Sequence, residues 1–223
     1  MNHFAAETHR GALLLDQLRR DVGDDRFFKL MTDFFAAHTT QTVTGQSFLD
    51  AAGVKVTLPE DQGGAVYLAS DIAKRLATAI IVYGTVTDAG ANRYAAEQLQ
   101  KKYLDWFESA VSVRKDFEVS DDDLRGHDVI FVGRAEANSA LAAWKGKIGL
   151  ESEGGMFRIA GKEHASETEA LTFAAANPLN HRHMVLVLAG NNALETVHLA
   201  SASLNRAEYT IYNSAKETSS GFK

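Results

Sequence analysis

Six polar residues recur at one kind of place in this chain. Asp88, Asn92, Arg134, Asn138, Asn191 and Asn192 all lie just after a short apolar run that glycine closes, at Tyr83-Gly84, Val132-Gly133 or Ala189-Gly190. Each run leads into a polar loop: Asp88-Ala89-Gly90-Ala91-Asn92-Arg93, Arg134-Ala135-Glu136-Ala137-Asn138, or Asn191-Asn192. A helical pattern follows each loop. If the runs are parallel strands, the loops share the carboxyl edge of one sheet, where open α/β folds bind ligands. Helix N-termini and an arginine together favour a small anion. The same residues have a purely local use, because glycine ends strands and asparagine caps helices.

Other chemistries find less footing. No Gly-x-Gly-x-x-Gly follows the first run and no Gly-x-x-x-x-Gly-Lys-Ser/Thr occurs, so dinucleotide and phosphate-loop motifs are missing. Gly161-Lys162 follows Gly154-Gly155 at the wrong spacing, with Glu163 in place of the hydroxyl residue. His181-Arg182-His183 would put two imidazoles on one face of a strand, with His164 or His198 as a third metal ligand, but no carboxylate is spaced to complete the set. There is no cysteine and no Gly-x-Ser-x-Gly elbow for a nucleophile.

Length and composition set wider bounds. The 223 residues suffice for one large or two small domains, and 45% apolar content is ordinary for a packed core. A net charge of −6 argues against a nucleic-acid partner, which wants clustered Lys and Arg. No apolar run is long enough for a membrane span, and the N-terminus lacks the pattern of a signal peptide.

The elements that would position these loops read as follows. A first helix is expected over about residues 3–22, with Gly23 as its stop, and Asp24 can cap a second helix. In that second helix Phe27, Leu30, Met31 and Phe34 make one stripe, which Phe28 and Phe35 widen towards a second face. Residues 53–66, with Pro59 and paired glycines, read as a linker. From residue 67 the chain alternates short strands with helices. The runs 79–83, 111–113, 129–132, 171–173, 184–188 and 209–212 are strands, and helices run to Phe107, from Asn138 to Trp144 and from 193 to 203. In the first of these helices Ala96, Leu99, Tyr103 and Trp106/Phe107 face inward, with Glu97 and Lys101 as an exposed pair. Ser120 and Asp123 have capping-box spacing, residues 149–162 form a hairpin excursion, and the tail from Ser214 is polar and mobile. The expected class is α/β: a mostly parallel, Rossmann-like three-layer sheet in residues 67–223, preceded by a small all-α segment in residues 1–52.

That first segment carries a resemblance. His9-Arg10-Gly11-Ala12-Leu13-Leu14-Leu15 runs into Leu18-Arg19-Arg20-Asp21-Val22-Gly23-Asp24, then Phe27-Phe28, Met31, Phe34-Phe35, Thr42-Val43-Thr44 and Ser47-Phe48-Leu49. Over residues 8–52 this order resembles the part of gluzincin aminopeptidases, the membrane alanyl aminopeptidase family, that follows their active site. The resemblance implies a metallopeptidase parent that removes residues from peptide N-termini. Zinc would belong to the parent only, and this chain would carry no cofactor of its own, because no His-Glu-x-x-His occurs in it and Thr8 stands where the family has its catalytic tyrosine. Residues 177–190, Asn177-Pro178-Leu179-Asn180 and then Met184 to Gly190, look like segments of α/β domains attached to some bacterial peptidases. The implied partner is the missing catalytic domain, or a second copy through the Phe-rich helix. A signal peptide on the parent would place the protein in the periplasm or outside the cell. The alternative expectation is a stand-alone α/β domain that binds a small anion at the six loop residues.

Overall fold

The computed structural model describes Arg19 and residues 22–38 and 66–222, and the chain divides into two compact units, residues 1–64 and 65–223. The expected first helix is thus described only at Arg19 and Val22, and the expected linker only at Val66.

In the first unit, helix α1 spans Asp24–Ala37. Gly23 precedes it with φ 81°, a left-handed turn that glycine makes without a Cβ penalty. Asp24 does not cap this helix. It lies in the first turn, where both its oxygens accept from the Arg19 guanidinium at 2.8 Å. Phe27 and Phe34, seven apart, are buried, while Phe28 and Phe35 are 55% and 59% exposed.

The second unit is an α/β fold on a seven-stranded mixed sheet in the order β10-β9-β7-β8-β3-β1-β2. Its strands are β1 (Ala79–Tyr83), β2 (Ser112–Lys115), β3 (Asp128–Val132), β7 (Glu169–Ala176), β8 (Met184–Gly190), β9 (Tyr209–Asn213) and β10 (Lys216–Gly221). The strands β2, β1, β3 and β8 are parallel, while β7, β9 and β10 join through antiparallel pairings. The expectation of a mostly parallel sheet therefore holds for one half only. The reason is connection length: residues 177–183 between β7 and β8 are too few for a crossover, so the chain turns back on itself. The tail expected to be mobile is β10. Ser214 and Ala215, at φ 47° and 64°, make a two-residue turn whose twist suits a hairpin, although neither is glycine or asparagine.

Helix α2 (Ala89–Phe107) links β1 to β2, and α3 (Asp121–Gly126) links β2 to β3 on the far side of β1. The strand order thus reverses between β1 and β3. After β3 come α4 (Ser139–Ala142) and a three-stranded antiparallel sheet of β4 (Glu151–Glu153), β5 (Met156–Ile159) and β6 (Lys162–His164). Helix α5 (Ala193–Leu199) follows β8.

Side chains alternate across the central strands, so the core divides in two. Ile81, Ile130 and Leu186 pack with Leu99 and Tyr103 of α2 and Leu199 of α5. Val82, Phe131 and Val187 pack with Leu124, Trp144 and Phe157, which brings the small sheet onto the other face. Both faces are covered, as buried parallel strands require. Trp106 and Phe107 were expected inward but are 72% and 46% exposed. They lie in the last turn of α2, beyond Tyr103, the last buried residue of that helix. The exposed ion pairs of that helix are Arg93 with Glu97 and Lys101 with Asp105, rather than Glu97 with Lys101.

Candidate functional site

All six expected site residues lie at the carboxyl ends of β1, β3 and β8, but they do not line an open crevice. The asparagines spend their amides on the backbone of the loops and of strand β1. Asn92 Nδ2 donates to the carbonyls of Gly84 and Thr87 at 3.0 and 3.1 Å, which closes the turn after β1. Asn138 is fully buried. Its Nδ2 donates to Val82 O on the neighbouring strand at 3.0 Å, and its Oδ1 accepts from Leu141 N at 3.0 Å. One side chain thus caps α4 and ties β3 to β1. Asn192 caps α5, with Oδ1 accepting from Glu195 N at 2.9 Å, and reaches Glu167 O through Nδ2. Asn191 Nδ2 donates to His164 O and Ser166 O at 3.0 and 2.8 Å.

The crevice at the reversal between β1 and β3 is filled by backbone. Val86 N donates to Ala137 O at 3.0 Å, and a Cβ on Gly84 would come within 2.3 Å of that oxygen. Only glycine permits so close an approach. Behind it sits Asp116, which the sequence reading missed. Its carboxylate accepts from Thr85 Oγ1 at 2.6 Å and from Ser139 N and Oγ at 2.7 and 2.9 Å. Burial opposes its charge, yet these hydrogen bonds outweigh burial and hold its pKa below the ordinary value. The available signal was position, since Asp116 follows directly on β2 at the same sheet edge.

Arg134 and Asp88 remain. Arg134 lies between the three loops, its side chain 17% exposed. Its Nη1 donates to Asn191 O at 3.1 Å, and its Nη2 stands 4.0 Å from Asp88 Oδ2, too far for a hydrogen bond. Asp88 occupies the N-cap position of α2 at φ 53° but makes no side-chain capping bond. Beside Arg134 a cavity of about 20 Å³ runs under the small sheet, walled by Trp144, Phe157, Leu171 and Val187. Among the described residues, buried Asn191 Oδ1 has no hydrogen-bond partner.

The histidines do not converge. His183 Nδ1 faces Asp128 Oδ2 at 3.3 Å at the amino edge of the sheet, His164 faces Glu169 at 3.1 Å and His198 faces Glu195 at 3.3 Å. Among the described residues no group of three His, Asp or Glu side chains is placed to hold a metal ion, and no helix is long and apolar enough to cross a membrane. No protein-family model matches the chain, and no curated protein matches it.

Proposed function

We propose that this chain is the non-catalytic C-terminal portion of a zinc aminopeptidase-like protein, with its α/β unit serving in domain packing, substrate access or partner binding. The observation that carries the α/β part is the closure of its carboxyl edge. Asn92 and Asn192 spend their amides on loop backbone, Asn138 bonds Val82 O of β1, and Ala137 fills the β1/β3 reversal, so these groups are committed to holding the edge together. The block β2-β1-β3-β8 is read as a Rossmann-like core, supported by its parallel order and its reversal between β1 and β3. The peptidase parentage rests on the resemblance of residues 8–52. The exposed rings of Phe28 and Phe35 on α1 offer apolar surface for the missing catalytic domain or for a second copy. The test is the genomic reading frame upstream of Met1. A continuous frame encoding His-Glu-x-x-His is the expected result, and an in-frame stop immediately upstream would overturn the parentage.

A second reading, a binding domain for a small anion, is favoured by one residue. Arg134 is largely buried, yet among the described residues it makes a single hydrogen bond.

A further inference from the structure

A guanidinium carries five N–H donors, and withdrawing it from water is costly when those donors go unused. Arg134 commits Nη1 to Asn191 O and leaves Nη2 4.0 Å from Asp88. The turn between β4 and β5 lies close to the same group, since a Cβ added at Gly155 would stand 3.2 Å from Arg134 Nη1. The guanidinium is therefore anchored through Asn191 O while most of its hydrogen-bonding capacity among the described residues is unspent. It also lines the mouth of the cavity beneath the small sheet, whose inner wall is formed by Trp144, Phe157, Leu171 and Ala189. A cavity of about 20 Å³ exceeds the ~10–15 Å³ that one water needs, yet its inner wall is apolar and gives a water few partners. A cation at the mouth and apolar side chains behind it match a ligand that is charged at one end and aliphatic at the other.

We propose that this niche binds a small aliphatic monocarboxylate. The carboxylate takes the unspent donors of Arg134, and a short alkyl end enters between Trp144 and Phe157. The inference rests on the anion-binding reading above and narrows it to a ligand class. A carboxylate suits the planar guanidinium fork. A dianionic phosphate suits the surroundings less, because Asp88 stands beside Arg134 and Glu136 is bonded to Ser152 at the cavity wall.

The test is a calorimetric titration of the full chain with formate, acetate, propionate, isovalerate and inorganic phosphate. The expected result is affinity that rises up to about fourfold per added methylene from formate to propionate and gains nothing more at isovalerate, whose branched end is too large for a cavity of about 20 Å³. Phosphate should give no saturable signal. Arg134→Gln should weaken binding of the carboxylates at least tenfold, and Ala189→Val, which shrinks the niche and leaves the arginine intact, should abolish the gain from the alkyl chain. If Arg134→Gln does not fold, the alkyl series on the native chain and on Ala189→Val decides the matter. Equal affinity for formate and propionate, with phosphate binding as well, would overturn the ligand class and leave the anion reading standing. Saturable binding by none of the five would overturn both.

Discussion

Asn138 Nδ2 reaches across to Val82 O at 3.0 Å, so a residue that caps the helix after β3 also bonds the backbone of β1. This one amide couples the two strands between which the sheet order reverses. The corresponding cap on α5, Asn192, is half-buried and bonds its own helix at Glu195 N and a loop carbonyl at Glu167, with no strand among its partners in the described residues. Two residues with one sequence signature therefore differ in what they hold together.

That difference sets the first prediction. Asn138→Ala removes a cap and strands buried carbonyls, and should lower stability by about 2–4 kcal/mol. Asn192→Ala loses a cap near solvent and should cost about 1 kcal/mol. Urea denaturation of the two variants measures the gap, and equal losses would show that the bond to Val82 contributes nothing.

The second prediction concerns acid. Asp128 is almost fully buried, and burial alone would raise its pKa. Hydrogen bonds from Thr78, Arg75 and Met184 N outweigh burial and hold the carboxyl below its ordinary value of 3.8. A depressed folded pKa means that the unfolded chain takes up the proton first as pH falls. The stabilisation is complete above the ordinary value and drains away as pH drops below it towards the folded value. Asp128→Asn should cost about 2–4 kcal/mol at neutral pH and flatten this acid branch of the stability curve. Denaturant melts between pH 2.5 and 7 read both effects, and an unchanged slope below pH 4 would contradict the assignment.

Tyr103 supplies a change in the opposite direction. Its ring packs in the core while its hydroxyl is buried with no hydrogen-bond partner among the described residues, and burial raises its pKa. Tyr103→Phe removes the stranded hydroxyl and keeps the ring. Stability should hold or rise by about 1 kcal/mol. A loss of that size in a thermal melt would show that the hydroxyl has a partner in solution.

Much of the second unit was legible because its signals are local. The continuously apolar runs 79–83 and 184–188 read as strands, the first of them as a buried parallel one, and Ser120 caps α3 through Asp123 N at 3.1 Å as the spacing implied. What failed depends on neighbours distant in sequence. The direction of β7 follows from the short return to β8, and β10 exists because β9 offers it an edge, neither of which its polar sequence announces. The six site residues were rightly placed at one sheet edge. Whether an asparagine there meets a ligand or a carbonyl depends on loop backbone that sequence spacing does not define.

Metal analysis and an aminopeptidase assay on this chain, freshly purified with zinc supplied, test the central claim most directly. The expected result is zinc well below one equivalent and no release of N-terminal residues from a peptide. Stoichiometric zinc with turnover would contradict the non-catalytic reading and require a metal site built without His-Glu-x-x-His.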